Sequence, residues 1–332
     1  MTCEVVLARR PQGALQASDL RLQAQSLPAC GEGEIRLAIR YLSIDPFTRI
    51  FLDEQALGGA MQGLPLGSVL PGAAVGEVVE SRADGFSPGD MVEGRFGWRE
   101  AIVTGTDGVR RLDPALGSPR AALGILGLPG TTAYTGMITV AGIQAGETAI
   151  ISSAAGAVGL TAGQIAKIRG ARAVGIAGGP EKCAMVLDHG FDACVDYKAP
   201  GFEQALVDAC PGGAQVYFDN VGGQVAMAAY AALGRGGRVA LCGLLSLYQG
   251  EGGEAGDLGR FMRLIMSRGL RIQAYGTVQI CLPEALPDLS RWLKDGAIHI
   301  PETVVDGLAA APQAFADMLT GSAQGKLILK LP

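Results

Sequence analysis

The sequence predicts an α/β protein in which a β-rich, barrel-like region precedes a doubly wound parallel sheet. Three observations carry this reading. Residues 1–120 break into short strand-like runs punctuated by Gly and Pro. From about residue 120 the apolar period lengthens, and strand-like and helix-like segments alternate. The 50 glycines among 332 residues follow no fixed period, and many fall at strand-to-helix junctions, where tight turns are needed.

In chain order, Glu34–Ser43 reads as an alternating-to-apolar strand closed by Asp45-Pro46. Gly76–Ser81 is a second short strand, Gly85 to Asp90 a turn, and Met91–Gly94 a third strand. Leu123–Val140 reads as one helix. The alternating part has strands at Thr148–Ser152, Ala171–Ala177, Cys194–Tyr197, Gln215–Asp219, Arg238–Cys242 and Arg271–Tyr275. Its helices are Ala157–Arg169, Glu181–His189, Phe202–Cys210 and Gln224–Leu233. Gln249–Gly259 is acidic and Gly-rich and reads as a loop. A helix at Ala311–Thr320 and a strand at Lys326–Leu331 follow Pro301.

Composition narrows the function classes. Hydrophobic residues make up 48% of the chain and charged residues 18%, which suits packed cores and excludes a disordered chain. A length of 332 residues favours two domains over one. The formal net charge of −5 repels phosphate backbones, so nucleic acid is not an expected partner. No apolar run reaches a membrane-spanning length and Met1–Arg10 lacks signal-peptide order, so a cytoplasmic protein without membrane association is expected. The seven cysteines are scattered and odd in number, as for reduced thiols. No CxxC occurs, and the two histidines, His189 and His299, have only Asp192 and Asp295 nearby in sequence, so no metal site is expected.

One segment carries ligand chemistry. ISSAAGAVGLTAGQIA, at 151–166, holds Ala154-x-Gly156-x-x-Gly159 between a strand and a helix. Gly156 would let main chain approach a pyrophosphate, and Gly159 would let the helix close on the strand. Ala157 and Val158 open the helix, whose free N–H groups face the same ligand. The bland alternative is a glycine-rich turn with no ligand. In context, the turn reads as that of a Rossmann dinucleotide site. The next strand ends in Ala177-Gly178-Gly179, where an NAD site would carry Asp or Glu, and Lys182 follows. A cation without a carboxylate suits a 2′-phosphate, so NADPH/NADP+ is favoured over NAD(H) and over a methyl donor. Glu181 reads as a helix-dipole partner, and the alternative for Lys182 is a solvated surface lysine.

Seven segments in order resemble the zinc-independent medium-chain dehydrogenases/reductases, closest to their double-bond reductases. They are RYLSIDPFTR at 40–49, FSPGDMVEGRFGWREAIV at 86–103, LGILGLPGTTAYTGM at 123–137, the cofactor turn, YFDNVGG at 217–223, LCGLLSLY at 241–248 and GSAQGKLILKL at 321–331. The resemblance implies a GroES-like catalytic domain of residues 1–120 completed by 301–332. It implies a Rossmann domain of residues 121–300, a cleft between the two, and a homodimer paired through sheet edges. It places Lys182 and Tyr197 at the 2′-phosphate. Asn220, Cys242, Gly243, Ser246, Tyr248 and Tyr275 fall along the cofactor, and Phe47 and Tyr248 at the substrate. Tyr248 is the implied proton source, water being the alternative. The implied reaction is hydride transfer from NADPH to the β-carbon of a small-molecule enone or enal. The Gln249–Gly259 loop is expected to close over that substrate. A quinone oxidoreductase or a non-catalytic NADPH-binding protein remains open as a second reading. Phe47, Ala101 and Ala323 depart from the Tyr, Tyr and Asn usual in relatives.

Overall fold

The computed structural model describes residues 1–56, 61–248, 258–276, 280 and 282–332. Residues 1–123 and 302–332 form one unit, and residues 124–301 the other.

In the first unit, β1 (Thr2–Leu7) and β2 (Leu20–Gln25) form an antiparallel pair. The remaining strands before residue 124 are β3 (Glu34–Ser43), β4 (Gln55–Ala56), β5 (Met61–Gln62), β6 (Ala74–Ser81), β7 (Met91–Gly94), β8 (Ala101–Gly105) and β9 (Arg110–Arg111). β3 keeps the period-two pattern seen in its sequence. Ile35, Leu37, Ile39 and Leu42 are buried beside Val78, Val92 and Trp98. Register shifts at Arg36/Leu37 and Ile39/Tyr41 bend β3 against β6, which a barrel-like sheet requires.

The second unit opens differently from the sequence expectation. Leu123–Val140 is not one helix: α1 spans Leu128–Tyr134 and runs on as a π-helical turn, Thr135–Val140. Pro129 explains the late start, because its ring excludes an earlier helical turn and suits the first helical positions. Within the π-helical turn, a Cβ on Gly136 would stand 2.3 Å from the Tyr275 hydroxyl and 2.4 Å from the Phe218 ring, so glycine alone fits. The unit continues β10 (Thr148–Ile151), α2 (Ala157–Ile168), β11 (Arg172–Ala177), α3 (Pro180–Asp188), β12 (Ala193–Asp196), α4 (Phe202–Ala209), β13 (Ala214–Asp219), α5 (Gly223–Ala232) and β14 (Leu233–Leu241). It closes with α6 (Leu258–Arg268), β15 (Arg271–Ala274) and α7 (Leu282–Lys294). The strands form one parallel six-stranded sheet in the order β12-β11-β10-β13-β14-β15. Ile150, Val174, Ile176, Val216, Tyr217 and Phe218 are buried, as strands covered on both faces must be.

Two helices, α6 and α7, lay outside the sequence expectation. Pro287 interrupts α7 in sequence yet sits inside the helix. Of the expected Gln249–Gly259 loop, residues 249–257 lie outside the described residues, while Leu258 and Gly259 begin α6.

The chain ends with β16 (Glu302–Asp306), α8 (Ala311–Leu319) and β17 (Lys326–Lys330). β17 inserts between β16 and β3 in a seven-stranded sheet, and Phe315 of α8 packs edge-on against Trp98 with ring centroids 5.2 Å apart. Lys326, only 2% exposed, donates to the Ile44 carbonyl at 3.1 Å and to Asp45 Oδ1 at 2.7 Å. That ion pair anchors Asp45-Pro46-Phe47, and the Phe47 ring meets Phe51 edge-on at 5.1 Å.

Candidate active site and cofactor cradle

The strand order reverses direction between β10 and β13, so the helices following these strands leave on opposite faces. That leaves a crevice at the carboxyl ends of the two strands. Most of the expected cofactor residues gather there.

Directly after β10, Ser153 takes φ 51°, and among the described residues it is the one non-glycine in the left-handed region. The turn therefore bends one residue before Ala154, whose buried methyl faces Gly175 of β11. Gly159 is demanded by packing: its Cβ would lie 2.3 Å from the Ser153 carbonyl oxygen and 2.8 Å from Ala154 Cα. Gly156 is not, since its Cβ would meet nothing nearer than Ser153 atoms at 3.4 Å. The protein's own packing leaves that side of Gly156 free, as a pyrophosphate cradle needs. Gly156 caps α2 without a side-chain hydrogen bond, and the N–H groups of Ala157, Val158 and Gly159 open the helix.

The adenosine end forms where β11 and β12 finish side by side. Asp196 Oδ1 accepts from the Gly179 N–H at 2.8 Å and the Lys198 N–H at 2.9 Å. Those two bonds hold its carboxyl below the usual range. Gly178 is bare because a Cβ there would meet the Tyr197 ring at 2.8 Å and Lys198 Cε at 3.1 Å. Lys182 is half-buried on α3, and burial lowers its pKa, with the nearby Lys198 charge adding to the effect. Lys198 was missing from the sequence expectation; its one signal was its place next to Tyr197.

At the centre, Asn220 Nδ2 donates to the Ser152 carbonyl at 2.7 Å and its N–H to Ser152 Oγ at 2.8 Å, tying β13 to the turn after β10. Asp219, fully buried, organises the rest. Its Oδ1 accepts from the Tyr217 hydroxyl at 2.8 Å and from the Val221 and Gly222 N–H groups at 3.0 and 2.9 Å. Its main-chain carbonyl accepts from the Cys242 and Gly243 N–H groups at 2.8 and 3.0 Å. Oδ2 has no partner at full hydrogen-bond geometry, although the Tyr230 phenol is close enough to couple to it. Burial raises the Asp219 pKa against those donors. Sequence reading passed over this residue.

The 242–248 segment leans on the same scaffold. Leu245 N–H donates to the Asn220 carbonyl, and both the N–H and the hydroxyl of Ser246 donate to the Val221 carbonyl, the latter at 2.6 Å. The Ser246 hydroxyl thus acts inside the loop. Burial pushes the Cys242 thiol up to about 11, so it stays protonated at neutral pH. The Tyr275 hydroxyl donates to the Thr132 carbonyl at 3.0 Å and stands against the π-helical turn. Tyr248 is half-buried, and its pKa is raised by burial, partly offset by a hydrogen bond from the Leu244 main chain. The phenol is therefore protonated across the physiological range. Phe47 belongs to the other unit.

His189 and His299 do not pair with the aspartates near them in sequence. Their rings stack 5.8 Å apart, His189 Nδ1 bonds the Met185 carbonyl, and Asp192 pairs with Lys167. Among the described residues, no group of three or more His, Cys, Asp or Glu side chains is placed to hold a metal ion.

Comparison with known proteins supplies the family. Residues 4–112 match a family described as the N-terminal domain of oxidoreductase, and residues 157–295 one described as zinc-binding dehydrogenase. NADPH-dependent curcumin reductase of Escherichia coli (strain K12) is 35% identical over 98% of this chain and 96% of its own length. The chain belongs to the zinc-independent medium-chain dehydrogenases/reductases, in their double-bond reductase group. Other relatives of this reductase agree. Prostaglandin reductase 1 of Bos taurus is 35% identical over 94% of both chains. The crystal structure of CurA in complex with NADPH from Vibrio vulnificus superposes with a TM-score of 0.93, at 34% identity over 99% of both chains.

Proposed function

We propose that the protein is an NADPH-dependent reductase that delivers hydride to the β-carbon of an α,β-unsaturated ketone or aldehyde. The observation that carries this reading is the end of β11, where bare Gly178 lies beside Tyr197 and Lys198, with Lys182 on the helix that follows. A 2′-phosphate finds two lysines there against a single carboxylate, Asp196, whose Oδ1 is held by the Gly179 and Lys198 main-chain N–H groups. The relative of known structure bound to NADPH, alike over nearly its whole length, supports the same cofactor.

When bound, NADPH supplies the hydride. Gly156 and the first turn of α2 hold its pyrophosphate. Gly178, Lys182 and Tyr197 hold the adenosine end. Asn220 and the Cys242–Tyr248 segment shape the nicotinamide end, with Asp219 keeping both turns in register. Tyr248, carrying its proton at neutral pH, donates a hydrogen bond to the enolate oxygen as charge grows there and serves as the acid for the α-carbon. A cytoplasmic homodimer is part of the proposal: β15 ends its sheet, and its residues Arg271, Gln273 and Ala274 are exposed for pairing with a second copy. The test is NADPH oxidation with enones, enals and quinones, with NADH run alongside. Enone turnover with NADPH supports the reading. Turnover of quinones alone, or binding without turnover, overturns it.

A further inference from the structure

The cations around Gly178 support a sharper statement, which rests on the NADPH reading above. The Ala177↔Asp196 register brings the ends of β11 and β12 together, so the residues after each strand become neighbours. Lys198 then lies with its Cε 3.1 Å from the position a Gly178 Cβ would take, on the side where the Tyr197 ring stands at 2.8 Å. Its Nζ is 5.9 Å from the centre of that ring. Asp196 attracts it without forming an ion pair, its Oδ1 being taken by the Gly179 and Lys198 main-chain N–H groups. Among the described residues, Lys198 Nζ makes no ion pair. Lys182 comes from α3, close enough that the two ammonium charges push on each other. Two like charges held close, with one carboxylate beside them, leave a net positive charge that an anion reaching both relieves, and a dianion relieves it best.

We infer that Lys198 is the second arm of a two-lysine clamp on the 2′-phosphate and so a specificity-determining residue for NADPH over NADH. Lys182 and Lys198 approach the phosphate from the helix and from the neighbouring strand, and the exposed Tyr197 ring lies against the adenosine between them. The contribution of Lys198 is specific to the extra phosphate. Its removal leaves the pyrophosphate cradle and the Tyr197 surface intact.

The test uses the full chain and two probes, 2′,5′-ADP and 5′-AMP, titrated by calorimetry against wild type, Lys198→Gln and Lys198→Arg. The kcat/KM ratio for NADPH over NADH is measured in parallel. Lys198→Gln is expected to weaken 2′,5′-ADP roughly fivefold or more, the effect of one charge pair at a solvent-facing site, while 5′-AMP changes by less than about twofold. The NADPH/NADH ratio should fall by the same factor. Lys198→Arg should restore both, and Lys198→Gln should flatten the salt dependence of 2′,5′-ADP binding. If wild type prefers 2′,5′-ADP and Lys198→Gln keeps that preference, the clamp is wrong and the NADPH reading stands. If wild type binds the two probes equally, both fall.

Discussion

Replacing Asp219 by alanine should both destabilise the protein and loosen its hold on NADPH. The side chain is fully buried, and its Oδ1 is the acceptor for one phenol and two main-chain N–H groups. Alanine strands all three donors, each at a cost of about 1–3 kcal/mol. Against that, removing a buried carboxylate recovers part of its desolvation penalty. The lower end of the donor cost, roughly 3 kcal/mol, is the expected net loss. For a unit of this size that lowers Tm by about 6–12 °C. Asp219→Asn keeps an oxygen where Oδ1 stands and should lose only about 1 kcal/mol. The turn that begins at Asn220 is held by the Asp219 side chain through the Val221 and Gly222 N–H groups, so the Kd for NADPH should rise about tenfold in the alanine variant. Thermal melts by circular dichroism, with and without NADPH, read both effects. An alanine variant melting within about 1 °C of wild type would show that Asp219 does not organise the site.

Four further expectations follow from the same geometry. Gly156→Val should leave the melting temperature nearly unchanged and abolish NADPH binding by titration, because only ligand space is filled. Gly159→Ala should instead cost about 1–3 kcal/mol of stability, since its Cβ would lie 2.3 Å from a main-chain oxygen. The Asp196 pKa is lowered by the Gly179 and Lys198 N–H groups, so their contribution is present above the ordinary carboxyl pKa and lost as pH falls through the depressed one. The Gly179 and Lys198 amide resonances should shift together on acidification, with a common midpoint below an ordinary aspartate; independent or absent shifts contradict the bridge. Tyr248→Phe should lower kcat by about 10–100-fold with little change in KM for NADPH. The raised phenol pKa means that wild-type activity should persist to about pH 10 and fall only above it; an unchanged kcat would assign the proton to water.

What the sequence revealed of the site was what sits within one turn of chain. Gly156, Gly159 and Gly178 announce themselves because strand, glycine and helix follow one another locally. Asp219 and Lys198 did not, because their importance depends on which strands become neighbours. Asp219 matters through a turn that β13 shares with the segment after β14. Lys198 matters through the pairing of β11 with β12. The same limit hid the His189–His299 stack, which joins residues 110 positions apart. In the fold, Pro287 concealed α7, because proline inside a helical pattern normally ends it. The parallel sheet was legible because buried strands such as Thr148–Ile151 and Ala214–Asp219 are short apolar runs at regular intervals.

The ion pair between Lys326 and Asp45, and the seam of β17 against β3, join residues 281 to 289 positions apart. At ordinary translation rates a ribosome needs roughly 15–60 s to cover that distance. For all that time Tyr41–Ser43 has emerged without its β17 partner. The whole of residues 124–301 can be synthesised and folded in the interval. The nascent chain therefore completes its inserted nucleotide-binding half before the half that surrounds it in sequence. Its window of vulnerability to aggregation lies at an open stretch of β3 rather than in the parallel sheet.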